Sequence, residues 1–381
     1  MVYTKEIILQ DKLTALLEEA GVTIGGSAPW DIQVHDPRWF KRVLSQPSLG
    51  LGESYMDGWW DCEELDAFFF RLMRHADVTK MYGMGTIIKF YLRNLWNCQS
   101  ILKSRKVADL HYNLGNDLYQ PMLGSSMAYT CAYWQPGHDL TQAQKNKYDL
   151  VCRKLDLQPG ERVLELGCGW GGFAHYAATH YGVEMDSVNI STEQMAYAAT
   201  LCKDLPVHLH TCDYRHHTAY NPQGRLFDKV VSIGMCEHVG YKNYGNFMKL
   251  ARAQLKNDGL FLMHTIGKNR TLRFTDPWIQ KYIFPEGQLP TVKALSRASE
   301  GYFVIEDLHN FSAHYDKTLM AWDNNFKQHW AQIKDGYDER FYRMWHYYLT
   351  TCAAGFRSRR LQLWQFVFSP QGKVGGYDSL R

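Results

Sequence analysis

The sequence predicts an α/β fold: a seven-stranded sheet with helices between the strands, preceded by a smaller, mostly helical N-terminal region. Three observations carry this. Arg162 to Gly172 reads RVLELGCGWGG, an apolar run that breaks into a glycine turn and then an amphipathic segment with Phe173, Tyr176 and Ala177. That is strand, turn and helix, with backbone able to approach a ligand where no Cβ intervenes. A βαβ rhythm then continues for about 100 residues, and 381 residues suffice for a large core and a second domain. The turn departs from dinucleotide spacing, and Glu165 at the strand's end suits a cationic ligand better than a pyrophosphate.

Composition narrows the class. Lys plus Arg number 42 against 39 Asp plus Glu, too near balance to suggest a nucleic-acid partner. Aromatics make up 14%, with 24 Tyr and 12 Trp, which suits apolar ligands or an amphipathic interface. Nine cysteines without a CxxC pair argue against a disulfide framework and for a reduced, cytoplasmic compartment. No metal site is expected. No apolar run reaches the roughly 18–20 residues of a membrane span, and the early charges Lys5, Asp11, Lys12, Glu18 and Glu19 do not fit a signal peptide.

Residues 7–20 read as an amphipathic helix through Ile8, Leu9, Leu13, Leu16 and Leu17. Gly21 to Pro29 is a turn-rich connection into Trp39 to Leu44, and Gly50 to Trp60 is dense in glycine and aromatics. That stretch is a compact turn with core aromatics or a docking surface, and spacing favours the turn. A helix follows over 65–75. Lys80 to Lys106 holds six Lys or Arg and no Asp or Glu, interleaved with Ile87, Phe90, Tyr91, Leu95 and Trp96. Such a helix can lie in an anionic membrane interface or pack on its own protein. A basic linker over 99–108 marks the domain boundary.

His111 to Tyr119 (HYNLGNDLY) and Tyr129 to Trp134 (YTCAYW) are polar-aromatic and aperiodic, as ligand-facing loops often are. A helix over 141–155 and the turn DLQPGER precede the glycine strand. The second strand, 183–190, leads into Ser191-Thr192-Glu193-Gln194, which has capping-box spacing; this role alone explains Ser191 and Gln194. Where a nicotinamide enzyme usually wants an acid for the ribose, Asn189 stands, which argues against NAD more than against adenosine. The third strand, 207–212, ends in Asp213-Tyr214, either an adenine acceptor with an aromatic wall or a helix cap. Strand four, 227–235, precedes Glu237 and His238; after a helix over 244–255 and the turn Asn257-Asp258-Gly259, strand five, 260–266, contains His264. Glu165, Asp213, Glu237 and His264 thus gather at strand carboxyl ends, where open α/β sheets bind ligands. An aromatic insertion over 268–300 can cover a substrate. A strand over 303–307, helices over 318–333 and 338–357, and a last strand over 361–368 complete seven. This is the expected shape of an S-adenosylmethionine-dependent methyltransferase of class I.

GLGESYMDGWW (50–60), HYNLGNDLY (111–119), TCAYW (130–134), VLELGCGWGG (163–172), ISTEQ (190–194), GMCEHVG (234–240), LMHTIG (262–267), DPWIQKYIFP (276–285) and HYDKTLMAW (314–322) carry a resemblance over nearly the whole chain. The sequence resembles bacterial cyclopropane-fatty-acyl-phospholipid synthases and, more distantly, mycolic acid cyclopropane synthases. The resemblance implies methylene transfer from S-adenosylmethionine to a cis double bond in a phospholipid acyl chain. An alkene is a poor nucleophile, so the sulfonium methyl must be held in line with it. Attack leaves a carbocation, which aromatic faces stabilise while excluding water. Ring closure then needs a base for a proton of the added methyl.

The resemblance implies that this base is bound bicarbonate, cradled by Cys131, Glu237, His264, Ile266 and Tyr315. Cys131 and Ile266 would offer backbone amides, Tyr315 and His264 donors, and Glu237 an acceptor for the ion's proton. Without the resemblance, Cys131 reads as a small buried hydrophobe and His264 as a satisfied core histidine. Carried-over cofactor contacts are Tyr112, Tyr129 and Thr130 at the methionine end, and Gly167 and Gly169, with Glu165, at the turn. Asn189, Ser191 and Gln194 lie around the ribose, and Asp213 and Tyr214 at the adenine. Asn189 replaces a more usual Thr and Thr130 a Ser. The expected layout is a lipid-docking domain over 1–98 and a catalytic domain over 109–381. A homodimer at the inner face of the membrane, with unsaturated phospholipids as partners, completes the expectation. Competing readings are a lipid methyltransferase without ring closure and a non-catalytic lipid-binding protein.

Overall fold

The computed structural model describes residues 2–75, 115–271, 275–285 and 287–381; Tyr112 and the basic stretch Lys80 to Lys106, with its linker, lie outside the described residues. The chain opens with α1 (Val2–Glu19), β1 (Gln33–Val34), α2 (Arg38–Ser45), α3 (Pro47–Met56), β2 (Trp60–Asp61) and α4 (Leu65–His75). Then come α5 (Asn116–Leu123), α6 (Leu140–Leu155), β3 (Arg162–Leu166), α7 (Gly172–Tyr181), β4 (Glu184–Asn189), α8 (Thr192–Leu201) and β5 (Val207–Thr211). These are followed by α9 (His217–Tyr220), β6 (Phe227–Ile233), α10 (Cys236–Val239), α11 (Tyr244–Gln254) and β7 (Leu255–Lys268). The remainder is α12 (Pro277–Tyr282), α13 (Val292–Ser299), β8 (Val304–Asn310), α14 (Ala313–Ile333), α15 (Glu339–Arg357) and β9 (Leu361–Ser369).

Seven strands form one sheet in the order β5-β4-β3-β6-β7-β9-β8. The ladders joining β5, β4, β3, β6 and β7 are parallel, and β8 pairs antiparallel with β9. Alternation along each strand builds the core on two faces. Leu164, Val230, Phe261 and Phe366 enter one apolar cluster, while their neighbours Val163, Val231, Leu262 and Val367 enter the other. The sequence places a turn at Asn257 to Gly259, but β7 runs through it. Phe227 still pairs with Leu255, and a register shift before Lys229 absorbs the irregularity. Between Leu255 and Leu260 the polar stretch stands opposite Asp228 alone and bulges out of the ladder.

Packing groups the chain into two compact units: Met1–Trp96, Arg273–Pro285 and Leu319–Leu361 form one; Asn97–Leu272, Glu286–Thr318 and Gln362–Arg381 form the other. The sequence reading drew one domain over 109–381; by packing, 273–285 and 319–361 group with the N-terminal stretch. The reason is aromatic burial. Trp278, from the insertion, stacks on Tyr347 at 4.4 Å, Tyr347 meets Phe69 at 4.9 Å and Tyr55 at 5.7 Å, and Tyr55 meets Trp60 at 5.1 Å. Gly52 makes room: a Cβ there would lie 2.3 Å from the Trp278 ring. The glycine-rich stretch 50–60 is therefore a compact helical turn with core aromatics. Asp276 caps α12 through the amides of Trp278 and Ile279, and Glu53 binds Arg42, Lys281 and Tyr282 within 2.9 Å.

In the sheet unit, a Cβ on Gly267 at the end of β7 would lie 1.9 Å from the Trp364 ring. Gly267→Ala should lower the urea midpoint by an amount worth roughly 2 kcal/mol; an unchanged midpoint would show that Trp364 moves freely.

Candidate active site at the sheet switch point

The chain leaves β3 toward β4 and leaves β6 toward β7, so a crevice opens between the carboxyl ends of β3 and β6. The glycine turn and the segment Gly234 to Glu237 border it. After β3, the amides of Gly167 and Cys168 both donate to the Val188 carbonyl, at 2.9 and 3.2 Å. Gly167 sits at φ 87° and Gly171 at φ 82°, left-handed backbone that any Cβ would strain. Two of the aperiodic segments join this turn. Trp170 donates to Asn116 at 2.9 Å, and its ring packs on Tyr119 at 5.1 Å, which in turn meets Tyr129 at 5.3 Å.

The residues expected to face the cofactor behave unequally. Ser191 caps α8, accepting from the Gln194 amide at 3.3 Å. The Gln194 side chain reaches Asn189 instead of completing a capping box, and Asn189 also donates to the Gly169 carbonyl at 3.2 Å. Asn189 thus staples the turn to the start of α8. Asp213 is clasped by Arg215 through contacts of 2.7 and 2.6 Å. Burial alone would raise its pKa, but those bonds outweigh it and hold the carboxyl below its ordinary range. Tyr214 packs edge-on against Phe247 at 5.6 Å. Glu165, expected to meet a cationic ligand, is buried and accepts from Ser187 at 2.8 Å. Burial lifts its carboxyl to about 7, and the cation it feels is the protein's own Lys147.

Across the crevice, β6 delivers Glu237 to the one-turn helix α10. Its Oε1 accepts from the Ile266 amide at 2.7 Å, while Oε2 is buried with no hydrogen-bond partner among the described residues. Burial pushes this carboxyl up to about 7, against the pull of the Ile266 amide. The Ile266 amide, expected to face an anion, thus orients Glu237. His264, two residues earlier on β7, is buried, and Gln365 lies 3.3 Å from its Nδ1. With Gln365 donating, the ring proton belongs on Nε2, which is buried without a partner among the described residues. Burial, reinforced by Lys147 and Lys154, holds the imidazole neutral.

Cys131 is fully buried, and burial keeps it a thiol. The segment that carries it is pinned by Thr318, whose hydroxyl accepts from the Ala132 amide at 3.1 Å and the Trp134 indole at 3.0 Å. Thr130 lies against Gly234, where a Cβ would come 2.6 Å from its methyl. Tyr315 is buried in the first turn of α14, its amide bonded to the Ser312 carbonyl at 3.1 Å. His238 stays neutral, burial holding its pKa to about 4. The structure therefore joins Glu237 to Ile266 directly, with His264 on the same strand. Cys131 and Tyr315 come from separate elements.

Sequence reading missed Lys147, Gln144 and Thr318. Lys147 was detectable, since it falls on the α6 stripe of Gln144, Val151 and Leu155, an apolar period interrupted by a cation. Burial pulls its ammonium down to about 7.

The family described as mycolic acid cyclopropane synthetase matches residues 99–366. The cyclopropane-fatty-acyl-phospholipid synthase of Escherichia coli K12 is 49% identical over 355 residues, covering 93% of this chain and 91% of that one. The tuberculostearic acid methyltransferase UfaA1 of Mycobacterium tuberculosis is 32% identical, covering 94% and 88%. The crystal structure of mycolic acid cyclopropane synthase CmaA1, complexed with S-adenosylhomocysteine and CTAB, superposes with a TM-score of 0.64 at 28% identity, covering 69% of this chain and 97% of that one. With its seven-stranded sheet and glycine turn, the chain belongs to this cyclopropane synthase family and is an S-adenosylmethionine-dependent methyltransferase of class I.

Proposed function

We propose that the enzyme transfers a methylene group from S-adenosylmethionine to the cis double bond of an unsaturated phospholipid acyl chain and closes a cyclopropane ring. One observation carries the ring-closing part: Glu237, just past β6, and His264, on the paired strand β7, each keep a buried polar atom, Oε2 and Nε2, with no hydrogen-bond partner among the described residues. Leaving such groups unpaired costs about 1–3 kcal/mol each, and an acceptor together with a donor suits a protonated anion. Bicarbonate, when bound, would supply the base that takes a proton from the added methyl, and S-adenosylmethionine the electrophilic methyl.

The chain's own residues hold and shield these groups. Glu237 accepts the anion's proton at Oε2, its orientation fixed by the Ile266 amide at Oε1. His264, neutral and donating from Nε2, adds no charge that would quench the base. Cys131 offers its backbone amide and Tyr315 its hydroxyl. Beside His264 stand Phe311 at 5.7 Å and, 5.3 Å from Phe311, Tyr133. Such rings exclude water and present negative faces to a carbocation. At the cofactor end, the Gly167–Gly169 turn, Tyr129, Thr130, Asn189, Ser191, Gln194, Asp213 and Tyr214 complete the reading, with Tyr112 from outside the described residues. Among those described, no helix is long and apolar enough to cross a membrane. We infer a homodimer working peripherally on the membrane's inner face, the N-terminal region and Lys80 to Lys106 providing contact with lipid. The similarity to a tuberculostearic acid methyltransferase favours one second reading, methyl transfer to the alkene without ring closure.

Three outcomes separate these readings. Purified protein, S-adenosylmethionine and unsaturated liposomes should yield acyl chains heavier by one CH₂, with the alkene lost, in a bicarbonate-dependent reaction. The same mass gain with an alkene retained would establish simple methylation. No gain on any lipid would leave a binding protein.

A pH experiment tests the proton at Glu237. A carboxyl raised from 4.5 to about 7 holds its proton more tightly folded than unfolded. Stability is therefore lost as pH rises between those values, and the cost is fully present above the upper one. Glu237→Gln removes the titration, so its stability relative to the parent should rise by about 2 kcal/mol between about pH 5 and about pH 8. Parallel thermal unfolding curves would place the proton elsewhere.

A further inference from the structure

Lys147 is 1% exposed and, among the described residues, makes one hydrogen bond, from Nζ to Thr130 Oγ1 at 2.8 Å. No carboxylate forms an ion pair with it among the described residues. One helical step earlier, Gln144 is also buried, and its Nε2 donates to the Thr130 carbonyl at 2.9 Å. One face of α6 therefore grips Thr130 by backbone and side chain together. The Thr130 methyl is held from the other side, against Gly234. With methyl and oxygen both fixed, the side chain has one rotamer.

Lys147 Nζ donates to Thr130 Oγ1, and in its ammonium form it has donors only, so Oγ1 is the accepting side of that bond. The hydroxyl's own proton is then obliged to go to some other acceptor. Thr130 is half-buried, and no acceptor for that proton is found among the described residues. We propose that Lys147 is a positioning residue for the cofactor. By occupying the acceptor side of Thr130, it turns that hydroxyl into a dedicated donor for a carboxylate, the amino-acid end of S-adenosylmethionine. This rests on the reading that Thr130 contacts the methionine end of the cofactor. A serine at this position would keep the hydrogen bond but lose the methyl wedge that fixes its direction.

A double-mutant cycle on S-adenosylhomocysteine affinity, measured calorimetrically, tests the assignment. Thr130→Val and Lys147→Met should each weaken binding roughly tenfold, and the double variant should bind no more weakly than Thr130→Val alone. In turnover, the KM for S-adenosylmethionine should rise more than kcat falls in Lys147→Met, a split that simple loss of folded protein does not produce. Lys147→Gln, which keeps a donor without the charge, should bind more tightly than Lys147→Met and serves if the latter does not fold. If Thr130→Val binds normally, Thr130 is not a cofactor contact and the underlying reading falls. If Thr130→Val is weak while Lys147→Met binds normally, or if the two losses add, Lys147 does not act through Thr130 and the inference is overturned.

Discussion

Two parallel strands whose connections diverge create the crevice on which the rest depends. Because β3 hands the chain toward β4 and β6 hands it toward β7, the two connections leave the carboxyl ends in opposite directions. Part of the candidate site is then placed by those strands and their neighbour. The glycine turn extends β3, Gly234 to Glu237 extends β6, and His264 with Ile266 lies near the end of the adjacent β7. The hydrogen bond from Ile266 to Glu237 crosses from one extension to the next and so locks the carboxylate to the sheet. A rigid scaffold is what a near-attack geometry demands.

The interior around the crevice is unusually rich in ionisable groups for so apolar a sheet. Glu165, Lys147, Glu237 and His264 are all nearly inaccessible, and burial drives each toward neutrality. Groups poised near neutrality by desolvation are a mark of functional sites, because structure alone would favour apolar replacements. Glu165 shows the structural side of the same physics. Its partner is Ser187 on the adjacent strand, and its role is to hold the start of the glycine turn.

Much of this was legible in the sequence. The strands could be found because buried parallel strands are near-continuous apolar runs, and the turn because only glycine tolerates its backbone. The capping role of Ser191 was visible in its spacing. What stayed hidden was long-range. Nothing local says that Trp278 belongs with Tyr347 and Tyr55. Asn257 to Gly259 has turn chemistry, yet it forms a bulge within one long strand instead of separating helix from strand. The proposed anion-binding set was read through family resemblance, since Cys131, Glu237, His264 and Tyr315 stand too far apart in sequence to form a motif.

The helical unit is assembled from three separated stretches, the last of them ending at Leu361. During synthesis, the N-terminal helices therefore emerge long before Trp278 and Tyr347, the rings that complete their core. Their apolar faces must wait through the making of almost the whole sheet. Contacts this distant in sequence close slowly, and unfinished cores of this kind are where nascent chains are most exposed to aggregation. The order of translation thus leaves both cores open until the end, because β9, which lies between β7 and β8 in the sheet, follows even Tyr347 in the chain.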